Sequence, residues 1–246
     1  MTMEHSLTLH PIAYIENDFP TKFGVPRQSG LLDALESFLY PISPYDDPTA
    51  YRGIEEYSHL WLLWGFSEVE DTAQRNNHWS PTVRPPRLGG NKRVGVFSTR
   101  SPFRPNPVGL SSVRLLAVES PEATGNPSGR LRLRVAGADL MSGTPIYDIK
   151  PYLTFTDSHP DAKDGFAANT RGDRLTADLP EHCRGILPPE KEKTLLQILA
   201  SDPRPAYQDD PERIYGFFFA EYEVRFRVAN RIAEVLSIRP ANDPKD

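Results

Sequence analysis

Short runs of alternating apolar and polar residues, broken by proline and glycine, set the rhythm of this chain and predict strands more than helices. Ile12 to Ile15 reads as a first strand, and Phe19 to Gly30 (FPTKFGVPRQSG) as a loop punctuated by Gly24, Pro26 and Gly30. Leu31 to Leu39 has a helical spacing at Leu31, Leu35, Phe38 and Leu39, although a strand stays open there. Gly53 to Ser58 suits one turn of helix. His59 to Phe66 (HLWLLWGF) is almost continuously apolar and predicts a strand buried on both faces. Val94 to Thr99, Val113 to Val118, Leu131 to Val135 and Ile146 to Tyr152 predict further strands. In RLRLRVA the leucines and Val135 share one side, and Arg130, Arg132 and Arg134 the other, which reads as a solvated arginine face. Asp148 and Lys150 share a side at period 2 and suit an ion pair.

Pro160 to Pro189 has no periodicity and reads as a boundary between two domains, 1–160 and 161–246. Glu190 to Ala200 is an amphipathic helix with Leu195, Ile198 and Leu199 on its buried stripe. It ends at Ser201-Asp202-Pro203, which opens a rigid loop, DPRPAYQ. Ile214 to Phe219, Glu221 to Val228 and Ile232 to Ile238 predict three strands, with a hairpin turn at Ala229-Asn230-Arg231. The fold class is therefore mainly β with minor α: a β-rich N-terminal domain and a small α+β C-terminal domain carrying the DPRPAY loop.

The 25 prolines among 246 residues make the connections stiff and long helices few. A net charge of -5 argues, for the chain as a whole, against a polyanion binder. The distribution changes that picture. Thr72 to Val118 holds no Asp or Glu but eight cations: Arg75, Arg84, Arg87, Lys92, Arg93, Arg100, Arg104 and Arg114. A basic face on an acidic body suits nucleic acid, or contact with an acidic segment. Cys183 is the one cysteine, so no intrachain disulfide forms, and it reads as incidental in an intracellular chain. No apolar run reaches the roughly 18 residues of a membrane span. No histidine has a metal-ligand spacing with a second His or Cys, so no metal is expected. The GxGxxG and GxxxxGK[ST] phosphate loops are absent, and so is a nucleophile elbow, which argues against a hydrolase.

The densest chemistry lies in Lys92 to Leu110, KRVGVFSTRSPFRPNPVGL. Pro102, Pro105 and Pro107 fix φ and bias their predecessors toward extended backbone, so Arg100 and Arg104 are presented from a rigid loop. Two preset guanidinium forks suit an anionic ligand.

The run NKRVGVFSTRSPFRPNPVGLS closely resembles the signature of the TsaA-like family. PRQ at 26–28, SHLW at 58–61, RPPRLGGN at 84–91, DIKPYL at 148–153 and DPRPAY at 202–207 extend the resemblance over essentially the whole chain. It implies a methyltransferase that uses S-adenosylmethionine, built on a single-sheet β-barrel and acting as a cytoplasmic homodimer. The substrate implied is the threonylcarbamoyladenosine beside the anticodon of threonine-type tRNAs, methylated on its exocyclic nitrogen. By motif position, the implied cofactor contacts are Arg27, Gln28 and Ser29; Ser67 and Glu68; Arg100 and Leu110; and Ala136, Gly137, Ala138 and Asp139. The family pattern has an acidic residue where this chain has Ser142, so Asp139 is left as the acid of that turn.

A carbonyl-attached nitrogen is a weak nucleophile, and a base that takes its proton helps by about 10²–10⁴-fold. Asp148, Asp202 and Tyr207 are the candidates. Arg104 and Arg204, flanked by rigid backbone rather than by acids, are expected to grip the threonyl carboxylate. Arg84, Arg87, Lys92 and Arg93 are expected to meet tRNA phosphates. A non-catalytic RNA- or nucleotide-binding protein on the same fold is the alternative reading.

Overall fold

A computed structural model describes residues 6–32, 34–66, 80–85, 88, 92–123, 126–170, 174–204 and 210–242. In chain order the N-terminal strands are β1 (Ala13–Glu16), β2 (Glu36–Pro41), β3 (His59–Gly65), β4 (Thr82–Val83), β5 (Val94–Gly95), β6 (Val108–Glu119), β7 (Arg132–Ala136) and β8 (Pro145–Pro151). Six of them close into a barrel in the order β1-β2-β7-β6-β3-β8, with every pairing antiparallel. Closure leaves no free edge, and the interior is filled by side chains rather than solvent. Ala13, Ile15, Leu39, Leu60, Leu62, Leu133, Val135 and Ile146 are all fully buried there. Among the described residues β4 and β5 pair only with each other, as a ribbon outside the barrel.

Three expectations need correction. β3 is not buried on both faces: Leu60 and Leu62 point inward while His59, Trp61 and Leu63 are only partly covered. An antiparallel barrel has a single packed face, and of these outward residues His59 and Trp61 line the cavity described below. The strand expected at Val94 to Thr99 stops at Gly95 and becomes a 3-10 turn, Val96–Ser98, closed by the Thr99 hydroxyl on the Val96 carbonyl at 2.8 Å. Nor does Arg132 belong to a solvated face. β6 places Glu119 opposite it, and the pair closes at 2.6 Å with Arg132 only 6% exposed. Its guanidinium also lies 4.2 Å over the Phe38 ring.

The second unit is a four-stranded sheet in the order β10-β11-β12-β9, from β9 (Thr176–Asp178), β10 (Ile214–Phe219), β11 (Tyr222–Ala229) and β12 (Ile232–Pro240). β9 lies within the segment read as aperiodic and runs parallel to β12. The helix Pro189–Ala200 buries Leu195, Ile198 and Leu199 completely, as its stripe predicts. Asn230 and Arg231, both at positive φ, form the β11–β12 turn. Cys183 sits in this core at 1% exposure, and burial raises its thiol pKa, so it is a packing residue.

The loop from β1 to β2 connects the two units. Leu31 to Leu39 forms no helix because its halves join different cores: Leu32 and Leu35 pack with the C-terminal sheet, while Leu39 enters the barrel on β2. Phe19 lies 5.7 Å from Phe219, and Phe23 lies 6.2 Å from Phe217. Lys191 meets Asp18 at 2.5 Å, and Ala220 donates to the Asp18 carbonyl at 2.7 Å. Gly24 has φ +96° and its Cβ position lies 2.6 Å from the Phe217 ring, so only glycine fits without movement. The PRQ segment that follows is thereby held against both units.

Candidate functional site

Along β3 and the paired half of β6 lies a cavity of 1210 Å³. Its walls come from the loop around Gly24, β3, the central proline-arginine loop, β6, the turn after β7 and the segment after β8, with Pro203 beside them. Of the expected cofactor residues, Arg27, Gln28, Ser29, Arg100, Leu110, Ala136 and Asp139 line it. Gly137 and Ala138 do not. Gly137, at φ +80°, donates to the Leu35 carbonyl and accepts from Gly30 at 2.9 Å, while Ala138 is packed in the barrel core. Their backbone shapes the wall. Ser67, Glu68, Arg87 and Tyr207 lie outside the described residues.

Asp139 is the charged centre of the floor. Burial raises its carboxyl pKa above the ordinary value; the Ser111 hydroxyl, its own amide, the Arg100 charge and the Ser29 amide oppose that without cancelling it. Ser111 donates to Asp139 Oδ1 at 2.5 Å and accepts the Trp64 indole N–H at 2.9 Å. Gly109 permits this, since a Cβ there would enter the Trp64 ring. Arg100 donates to Gln28 Oε1, which brings together two residues remote in sequence. Ser142 does not line the cavity. Its amide meets the Phe19 carbonyl and its hydroxyl the Asn17 amide, so the turn position that is acidic in the family pattern faces the β1–β2 loop here.

The other candidates distribute differently. Arg104 lines the cavity, held by its own loop through the carbonyls of Thr99 at 3.0 Å and Ser101 at 3.3 Å. Asp148 does not line it, and its carboxylate meets Lys150 at 2.7 Å, the ion pair expected from their spacing. Arg204 is not free of acids as expected: Asp202, two residues before it, takes Nε at 2.8 Å and Nη2 at 2.9 Å. Arg204 is 9% exposed, and its Nη1 has no partner among the described residues. Pro203 between them lines the cavity, while Asp202 and Arg204 themselves do not. Arg84, Lys92 and Arg93 stand exposed beside the β4–β5 ribbon, away from the cavity, and Arg93 bonds the Thr82 hydroxyl at 2.8 Å.

Sequence reasoning missed Ser111, Trp64 and an aromatic lip on the outer side of β3. Trp61 and Tyr152 lie 5.5 Å apart there, and the Trp61 N–H is held by Asp157 at 2.8 Å. The Leu153 amide and that indole keep the Asp157 carboxyl below its ordinary pKa. The alternation of HLWLLW, with tryptophans on opposite faces, was the available signal. Among the described residues no group of three His, Cys, Asp or Glu could hold a metal ion, and no helix is long and apolar enough to cross a membrane.

Comparison with known proteins resolves the family. The tRNA-methyltransferase O N-terminal domain matches residues 14–158, and the TrmO C-terminal domain matches residues 178–241. The chain belongs to the TrmO family. Membership makes it a methyltransferase enzyme. It is 38% identical to the tRNA (adenine(37)-N6)-methyltransferase of Escherichia coli K12 over 96% of this chain and 99% of the relative. A shorter relative in Methanothermobacter thermautotrophicus, named "Probable S-adenosyl-L-methionine-binding protein", is 36% identical over 62% of this chain and 94% of its own. The crystal structure of TrmO from Pseudomonas aeruginosa superposes with a TM-score of 0.74 at 31% identity, covering 98% of this chain and 99% of that one. The TrmO architecture, a closed six-stranded barrel with a small separate sheet, is the one described above.

Proposed function

We propose that this TrmO-family chain uses S-adenosylmethionine to methylate the exocyclic nitrogen of threonylcarbamoyladenosine beside the anticodon of threonine-type tRNAs. The observation that carries the reading is the convergence of the PRQ loop, Arg100, Leu110 and Asp139 on one cavity.

The residues present fit the cofactor. It is a zwitterion with an added sulfonium charge, so it needs an anion, a cation and apolar walls. Asp139 supplies a half-buried carboxylate already met by donors, Arg100 a cation at the rim, and Leu110 and Met141 apolar surface. When bound, S-adenosylmethionine supplies an electrophilic methyl group. The protein's task is then to set the acceptor nitrogen in line, exclude water and receive a proton.

The acceptor nitrogen gains the methyl and gives up its hydrogen as a proton. Arg204 and Asp202 suit that step as an exchangeable pair. The threonyl carboxylate of the substrate can take over the Arg204 fork from Asp202, and this releases the Asp202 carboxylate as the proton acceptor. Arg104 is the second cation at the cavity. Asp148, held by the exposed Lys150, is set aside as base in favour of Asp202, whose neighbour Pro203 lines the cavity. The exposed cations at Arg84, Lys92 and Arg93 suit the phosphates, and the Trp61–Tyr152 lip offers a flat face to a base. Phe97, Phe103 and Phe155 are exposed, and cover by a second copy suits them, so the working unit is read as a homodimer.

The test is methyl transfer from S-adenosylmethionine to threonine tRNA with and without the threonylcarbamoyl group, with nucleosides read by mass spectrometry. One added methyl on the modified adenosine alone is the expected result. Equal methylation of both tRNAs would remove the carboxylate-fork role of Arg204, and transfer to neither would overturn the substrate.

A further inference from the structure

Four consecutive residues of the β1–β2 loop grip four different parts of the site. Gln28 receives Arg100, the Ser29 amide faces Asp139, and the Gly30 amide bonds the Gly137 carbonyl at 2.9 Å. Those three bonds serve the cofactor side. Arg27 reaches in another direction. Its Nη2 donates to the carbonyl of Arg204 and lies 3.5 Å from the carbonyl of Asp202.

The turn it grips has its own local cause. The helix Pro189–Ala200 ends with Ser201 and then Asp202 in the left-handed region, at φ 52°. The Asp202 amide caps the Leu199 carbonyl at 3.1 Å, the inner bond of a helix C-terminal cap. The outer bond of such a cap comes from the next amide, and the next residue is Pro203, which has none. The Ile198 carbonyl, which that bond would have taken, instead accepts the Ser201 hydroxyl at 2.7 Å. Past this end the carbonyls of 202 and 204 are collected by the Arg27 guanidinium. The same turn aims the Arg204 fork and the Asp202 carboxylate.

We propose that Arg27 is a positioning residue for the substrate-binding turn rather than a ligand of the cofactor. Through it the PRQ loop holds the two halves of the site in register: Gln28 to Gly30 assemble the cofactor pocket, and Arg27 fixes the 202–204 turn beside it. The methyl donor and acceptor subsites are thus ordered by one four-residue stretch, although they belong to different structural units. This inference rests on the role proposed above for Arg204 and Asp202.

The experiment uses the full chain as wild type, Arg27→Ala and Arg27→Lys. Three quantities are read: S-adenosylmethionine Kd by calorimetry, KM and kcat for modified threonine tRNA, and amide hydrogen exchange at Asp202 and Arg204. Arg27→Ala is expected to leave the cofactor Kd within about twofold, to lower kcat/KM for tRNA by about 10²-fold, the scale of a roughly 1 Å misplacement, and to speed exchange at the turn. Arg27→Lys, which keeps a cation able to reach carbonyls, is expected to recover most of both losses. A cofactor Kd weakened tenfold or more with tRNA KM unchanged would overturn the proposal and return Arg27 to the cofactor. So would unaltered exchange at Asp202 and Arg204 in Arg27→Ala. If wild type transfers no methyl to any tRNA, the proposed substrate fails, while cofactor Kd and amide exchange still decide what Arg27 holds.

Discussion

Ser111 and Asp139 stand 28 residues apart and share a 2.5 Å hydrogen bond at the floor of the cavity. Ser111 is 1% exposed and is also the acceptor for the Trp64 indole, so one hydroxyl serves a buried donor and a half-buried acid. Ser111→Ala removes a donor from the carboxylate and leaves the Trp64 N–H without an acceptor. A stability loss of about 1–3 kcal/mol is expected in urea unfolding, the cost of an orphaned buried donor. The cofactor Kd is expected to rise by about tenfold, because the Asp139 carboxyl moves further above its ordinary pKa. An unchanged Kd would remove Asp139 from cofactor binding.

Asp139 itself sets a stability that falls as pH rises. Its folded pKa is raised, so the protein favours the neutral acid. That contribution is fully present below the unfolded value of 3.8 and is lost as pH climbs through the raised folded value. At neutral pH the buried carboxylate is a net cost. Asp139→Asn is therefore expected to melt higher than wild type at pH 7, by about 2–4 °C for each kcal/mol relieved, and the gain shrinks toward pH 4. It binds the cofactor more weakly at the same time. Equal melting temperatures across that range would show that the solvent reaches the carboxylate freely.

Gly24 couples the PRQ loop to the C-terminal sheet. Gly24→Ala adds a methyl group into the Phe217 ring and imposes a positive φ on a residue with a side chain. A loss of about 1–3 kcal/mol is expected, measured by denaturant unfolding. Cofactor affinity falls with it, since Gln28 and Ser29 are anchored only a few residues later. A stable Gly24→Ala protein with normal Kd would show that the loop is fixed from the barrel side alone.

Exposed cations around the β4–β5 ribbon predict a salt-dependent tRNA affinity. Lys92→Ala and Arg84→Ala are each expected to reduce the slope of log K against log salt by about 0.7–0.9, one phosphate contact apiece. The nucleosides methylated stay the same. A slope unaffected by both changes would move the tRNA to another face.

What the sequence determined by itself is local. Strand periodicity, the amphipathic helix and its stop at Asp202-Pro203, and the proline-fixed arginines are properties of neighbouring residues, so they are visible one window at a time. The signature motifs likewise carried the family. Pairing decided the rest. Arg132 looks solvated until β6 sets Glu119 opposite it; Asp202 and Arg204 look like separate candidates until they close on each other. Leu35 and Leu39 read as one helix face although two different cores bury them, because burial follows which surface is nearby rather than which residue comes next. The meeting of Arg27 with the 202–204 turn, across 175 to 177 residues, belongs to that second kind: only the tertiary structure brings a loop and a helix end together, and only then does a carbonyl pair become a site for a guanidinium.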